Sequence, residues 1–231
     1  MSRFLLMLTL VFAGEIIFGL PFHTARFFRP TLLEAFGFSN TQLGDVFAVY
    51  GITAMIAYFP GGALADRYSA RSLLTVSLLL TGLGGFYMAT FPGAMGMAFL
   101  YGYWGVTTIL LFWAALIRAT REWGGKTSQG RAFGILDGGR GLAGALFATL
   151  GVAVLAWRMP DSAGMISDEE RRAAFRSVIL LYSFAAMGTA AMTWALLPAS
   201  SKSGDTGLAV FRHSMQVLTR PLVWGQAAVI I

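Results

Sequence analysis

Glu15 stands midway along an apolar run that extends from about residue 4 to residue 28. A carboxylate in a lipid-embedded segment is costly, so it marks an ion or substrate path by default. Helical geometry at 100° per residue puts Phe22, Arg26 and Arg29 within about 40° of its direction, a polar and aromatic stripe. Glu15 and Arg26 are eleven residues apart, about 16 Å along a helix axis and too far to pair. One reading makes Glu15 the residue that couples protons or cations to solute movement, and Arg26 an anion attractor near the outer mouth. The other gives Glu15 a hydroxyl or backbone partner on a neighbouring helix and leaves Arg26 and Arg29 snorkelling to the interface. His23 joins the candidates as the only histidine near an apolar run; capping the outer rim is its alternative role.

Asp137 and Arg140 lie three residues apart in a later apolar run, a spacing that lets an acid and a base pair on one helix face. The pair is either a fixed bridge or a gate that opens when solute or proton arrives. Its place nearer the inner end than the midplane favours the bridge. Asp137 borders a stripe of small residues, Gly130, Gly134, Gly138, Gly141, Gly144, Ala145 and Ala148. The stripe is expected to pack closely on another helix, with Asp137 facing protein. Enzyme and metal chemistry have no such foothold. The two histidines, His23 and His213, fall on opposite sides of the expected membrane, and cysteine is absent. No metal site, nucleophilic triad or cofactor is expected.

The elements that carry these residues follow from composition. The chain is 56% apolar and only 12% charged, against about 25% charged for an ordinary soluble domain. Much of its surface must therefore meet lipid. Six runs are long enough to span a bilayer, at roughly 4–28, 41–62, 72–91, 95–117, 131–157 and 175–197, since a spanning helix needs about 20 apolar residues. A seventh run begins at Pro221 and stops at Ile231. The start is not a signal peptide, because Glu15 interrupts the cleavage region and further spans follow. Ser39 with Gln42, and Ser167 with Glu170, form capping boxes that open the second and sixth helices.

Basic residues sit in the gaps between runs. With the N-terminus inside, inner segments hold ten Lys and Arg and outer segments six, which supports a cytoplasmic N-terminus. The distribution suits a bilayer and not a nucleic acid, whose footprint would be one basic block. Residues 198–220 are rich in Ser, Gly and charge and read as a cytoplasmic linker after a bundle at 1–197, with 221–231 starting a second bundle.

The gap between the second and third spans reads Gly62-Ala-Leu-Ala-Asp66-Arg67-Tyr-Ser-Ala-Arg71-Ser-Leu-Leu74. It resembles the loop signature of the major facilitator superfamily, G-x-L-A-D-[RK]-x-G-[RK]-[RK]-x-x-L. Ser69 replaces the usual glycine and Ala70 a usual basic residue. In that family the loop is a conformational latch, which implies this role for Gly62, Asp66, Arg67 and Arg71. Arg67 and Arg71 would also hold the loop at the anionic inner surface. The stretch from Trp123 through Lys126 and Arg131 to Gly134 resembles the loop between the fourth and fifth helices in organic-anion and sugar-phosphate branches. It contains no phosphate-binding G-x-x-x-x-G-K-[ST]. The drug-antiporter Gly-Pro signature is absent, since no proline falls between Gly130 and Trp157.

The resemblance implies an all-α membrane protein, a six-helix transmembrane bundle built as a 3+3 inverted repeat, plus the start of a seventh helix. No internal sequence repeat is visible. The expected function is secondary transport of a small anionic organic solute by alternating access, with proton symport. Anion exchange, or solute sensing without transport, is the alternative. Solute, protons, the lipid bilayer and a missing C-terminal half are the expected partners. The expected place is the plasma membrane, the inner membrane of a bacterium.

Overall fold

The computed structural model describes residues 2–159 and 167–199, and among them every regular element is helical. In chain order these are α1 (Arg3–Ile16), a π-helical segment (Gly19–His23), α2 (Thr24–Phe27), α3 (Arg29–Phe36), α4 (Asn40–Arg67) and α5 (Ala70–Met88). Then come α6 (Ala94–Gly105), a second π-helical segment (Val106–Trp113), α7 (Ala114–Gly124), α8 (Gln129–Arg158) and α9 (Asp168–Leu196). Five helical stretches are long and apolar enough to cross a membrane. The pair Arg3–Ile16 and Gly19–Phe27, bent by 41°, makes a sixth. Most of the expected linker and the start of a seventh helix, residues 200–231, lie outside the described residues.

Local chemistry sets the helix ends. Both expected capping boxes form. Ser39 Oγ accepts from the Gln42 amide at 3.1 Å while Gln42 Oε1 accepts from the Ser39 amide at 2.8 Å, and Ser167 with Glu170 repeats the exchange. Ser69 N-caps α5 by accepting from the Ser72 amide at 3.1 Å. The serine at the pattern's glycine position thus satisfies a helix-end donor that would otherwise be orphaned.

The first span is not the single straight helix expected over 4–28. Pro21 lacks an amide hydrogen and cannot continue the α register. The chain turns at Ile17–Phe18 and winds as a π-helix, with the amides of Phe22 and His23 both donating to the Phe18 carbonyl at 2.9 and 3.2 Å. The fourth span is also interrupted, at Val106–Trp113. The first helix of each triplet of spans therefore carries a π segment.

α4 packs along α6 and the second π segment, α5 along α9, and α1 against α8 and α9. Many large side chains on the outside are apolar, as at Ile52, Met55, Ile56 and Phe99, the inverse of a soluble surface. Inside runs a polar seam. Ser77 Oγ donates to the Thr107 carbonyl at 2.7 Å, Trp104 Nε1 to the Thr81 carbonyl at 3.1 Å, and the Tyr50 and Thr108 hydroxyls meet at 2.7 Å. Such bonds join helices where lipid offers no polar partner. A Cβ at Gly84 would lie 2.6 Å from Trp104 Nε1, and Trp104 is fully buried. Gly84→Ala is expected to cost about 1–3 kcal/mol through overpacking, read as a lowered melting temperature of the purified protein. An unchanged melting temperature would refute this account of the α5–α6 contact.

The small-residue stripe does not pack as expected. Gly130, Gly134, Gly138 and Gly141 are exposed and have nothing within 4 Å of an added Cβ. Close approach to α1 falls instead to Gly139, against Val11, and to Gly144, against Glu15. Those four glycines lie on the side of α8 turned away from the described helices, and Gly144 is the member of the stripe that meets α1.

Candidate functional site

The break in the first span decides the site. Continued as a straight α-helix, it would point His23 about 80° away from Glu15. With the π segment and the bend, His23 Nε2 lies 3.1 Å from Glu15 Oε1. The other oxygen, Oε2, faces Arg140 Nε of α8 at 3.4 Å. Glu15 thus has a histidine on one oxygen and a guanidinium on the other, in place of the hydroxyl or backbone partner considered from sequence. The Glu15 side chain is 13% exposed and that of His23 8%, so both are held by protein and not by solvent. His23 Nδ1 is buried without a hydrogen-bond partner among the described residues. The imidazole is a wall of the site, not a cap on a rim.

Arg140 is anchored chiefly by α1. Its Nε donates to the Gly14 carbonyl at 3.1 Å, and its guanidinium lies 5.7 Å from the Trp113 ring and 6.0 Å from Phe18. The expected Asp137–Arg140 bridge is only a loose contact, Nη1 to Oδ1 at 3.5 Å, and the Asp137 side chain is 69% exposed. A hydrogen bond at that length is at its limit. Asp137 therefore faces open space beside Arg140 instead of packing against protein. Gly144 makes room for the carboxylate, since a Cβ there would sit 2.5 Å from Glu15 Oε1.

Glu15, His23, Asp137 and Arg140 line an open cavity of about 730 Å³, together with Phe18, Phe22, Ala25, Arg26, Arg29, Phe47 and Gly141. All six sequence candidates, Glu15, Phe22, His23, Arg26, Asp137 and Arg140, are on its wall. Phe22 stacks on Phe47 at 5.6 Å and meets Tyr50 edge-on at 4.8 Å, giving one side an aromatic face. Arg26 is exposed and leans on Phe27 at 5.5 Å. Arg29 is not snorkelling freely; it forks onto Asn40 Oδ1 at 2.8 and 3.0 Å. The wall can therefore hold an anion on arginine, an apolar body on phenylalanine and a proton on the Glu15–His23 pair. Sequence reasoning underrated His23 and missed its partnership; Pro21 two residues before it was the available signal.

The segment around Asp66 is built separately, and it is not a loop over Gly62–Leu74 as expected: Gly62, Asp66 and Arg67 lie in the last turns of α4, and only Tyr68 and Ser69 separate that helix from α5. Gly62, Asp66 and Arg67 are exposed, and Arg67 lies 5.6 Å over the Tyr68 ring. Arg71 stacks on Trp194 of α9 at 4.1 Å. Arg118 of α7 donates to the carbonyls of Ala65 and Tyr68 and pairs with Glu122 at 2.8 Å. This support was not read from sequence.

The sequence profile of the Major Facilitator Superfamily matches residues 6–231. The inner membrane protein YqcE of Escherichia coli is 30% identical over 78% of this chain and 40% of its own length. The 3-(3-hydroxy-phenyl)propionate transporter of the same bacterium is 31% identical over 68% of this chain and 39% of its own length. The hexuronate transporter of Bacillus subtilis is 26% identical over 51% and 28%. The chain spans well under half the length of these curated relatives.

Proposed function

The chain belongs to the Major Facilitator Superfamily, and from that premise we propose that it forms part of a secondary transporter that moves a small organic anion by alternating access. It works by proton symport. It is not an enzyme. The observation that carries this reading is the Glu15 carboxylate held between His23 and Arg140 on the wall of an open cavity. Intramembrane carboxylates paired in this way mark ion paths. Three arginines against two carboxylates on the wall favour an anionic solute. Two relatives are transporters named for organic acids, 3-(3-hydroxy-phenyl)propionate and hexuronate, and the Phe18–Phe22–Phe47 side suits an apolar or aromatic body.

The N-terminus is cytoplasmic in this reading, supported by the excess of Lys and Arg in the inner segments. The membrane is the bacterial inner membrane, as the name of one relative states for that protein. The Asp66 loop acts as the latch against a second bundle, which completes the solute site. Anion exchange is the second reading, favoured by Arg26, which lines the mouth with no carboxylate partner among the contacts of the described residues.

The deciding experiment reconstitutes the complete protein in liposomes loaded with a pH-sensitive dye and offers a panel of aryl carboxylates and sugar acids. Symport predicts solute-dependent entry of protons. Uptake that proceeds only with a solute inside, and without proton movement, would replace symport by exchange. Arg26→Gln is expected to raise KM about tenfold, as loss of a charge-assisted hydrogen bond would, with the maximum rate largely kept. A lowered maximum rate at constant KM would remove Arg26 from solute binding.

A further inference from the structure

Glu15 belongs to α1 and His23 to the π-helical segment beyond the bend, yet His23 Nε2 and Glu15 Oε1 are within hydrogen-bonding reach at 3.1 Å. A carboxylate and an imidazole this close titrate as a pair, and a proton taken up by the pair could rest on either. The surroundings separate the two cases. His23 Nδ1 is buried with no hydrogen-bond partner among the described residues. The rings against the imidazole are those of Phe27 at 5.3 Å and Tyr182 at 6.3 Å. The Tyr182 hydroxyl donates away from it, to the Phe147 carbonyl at 3.2 Å. An imidazolium carries a donor on both ring nitrogens, so protonating His23 would bury a second, charged N–H with nothing to accept it. A neutral ring that donates from Nε2 leaves only a bare nitrogen unpaired. An orphaned charged donor costs more than an orphaned neutral acceptor.

Charge points the same way. α8 puts the Arg140 guanidinium 3.4 Å from Glu15 Oε2, so an imidazolium would be a second cation on one carboxylate. The other carboxylate of the wall, Asp137, contacts Arg140 at 3.5 Å. α9 brings Tyr182, and α7 pairs its Arg118 with Glu122 at 2.8 Å. The limb beyond the bend adds Arg26 and Arg29, two further cations on the cavity wall.

Building on the symport reading, we propose that Glu15 carries the transported proton and that His23 is its positioning residue, a neutral imidazole donating from Nε2 to Oε1 in both protonation states of the carboxyl. Proton uptake forms an O–H bond at Oε2 and replaces the longer contact with Arg140. Release breaks that bond and returns the proton to water. The imidazole neither gains nor loses a proton, and it ties the limb beyond the bend to α1 throughout.

The test uses the complete protein in liposomes. His23→Leu removes the donor and is expected to lower uptake about tenfold, as loss of a charge-assisted hydrogen bond would. His23→Gln can still donate an N–H and is expected to recover most of that loss. In both variants the number of protons entering per solute is expected to match the wild type, because Glu15 is intact. Solute entry without protons in these variants would make His23 the carrier and overturn the proposal, as would a glutamine variant no better than the leucine one. Nitrogen-15 solid-state NMR of histidine-labelled wild type in lipid reads the ring directly, with the His23 signals assigned by their loss in His23→Gln, or in His23→Asn if the glutamine variant does not accumulate. One protonated and one bare nitrogen are expected throughout the pH range over which uptake changes. Two protonated nitrogens in a wild type that still moves protons with solute would refute the role of His23 alone. A wild type that moves solute without protons would end the symport reading and this assignment with it.

Discussion

Proteoliposomes carrying Glu15→Gln are expected to lose proton-driven uptake to the level of protein-free vesicles while retaining solute-for-solute exchange. Glutamine keeps the size of the side chain and one carbonyl oxygen that can accept from His23 or Arg140, but it cannot take up and release a proton. The substitution leaves Arg140 without its carboxylate partner, and breaking a buried ion pair is usually destabilising. Here the cost is softened. Arg140 keeps its bond to the Gly14 carbonyl at 3.1 Å and its contact with Asp137 at 3.5 Å, and it lines an open cavity. The variant should therefore fold and bind solute, so that loss of uptake reports coupling and not stability. Uptake with its pH dependence intact would move the coupling role elsewhere, Asp137 being the next carboxylate on the wall.

Gly144→Ala is expected to reduce uptake at least about tenfold, the equivalent of a lost charge-assisted hydrogen bond, while shifting the melting temperature by only a few degrees. The added methyl carbon would lie 2.5 Å from Glu15 Oε1 and 3.3 Å from its carboxyl carbon. The atom that must yield is the tip of a flexible side chain, so the helices need not separate. The carboxylate must still leave its place 3.1 Å from His23. A larger residue has no such escape, and Gly144→Leu is expected to prevent assembly of α1 on α8 through overpacking. Transport and thermal unfolding measured on the same preparation separate the two outcomes. Normal uptake in Gly144→Ala would show that the carboxylate position is not needed.

The two substitutions test one geometry from opposite sides, one by its charge and the other by its space. The sequence announced the carboxylate and not the space. Glu15, Arg26, Asp137 and Arg140 were legible because charges are rare in apolar runs, and all four line the same cavity. Gly144 was read as one member of a stripe, yet Gly130, Gly134, Gly138 and Gly141 meet no neighbour within 4 Å and Gly144 meets Glu15. A stripe on a helical wheel states which residues share a direction. Which part of that direction is filled depends on the crossing of α1 and α8, information that no local pattern carries.

The positions of the spans and their caps are properties of single segments, and the residues alone were enough to determine them. Long apolar runs must lie in lipid, Ser39 and Ser167 must open helices that carry Gln42 or Glu170 at the right distance, and the Asp66 loop bears the family's signature. Partnership is a property of pairs. His23 reaches Glu15 because Pro21 interrupts the α register and the bend brings two residues eight apart to 3.1 Å. Arg140 turns its Nε to the Gly14 carbonyl and keeps only a 3.5 Å contact with Asp137, because α1 and α8 touch there. Arg71 finds Trp194, on the last described span, at 4.1 Å. Spacing along one helix ranks the partners a side chain could reach; the bends and crossings of the folded bundle decide which of them it meets.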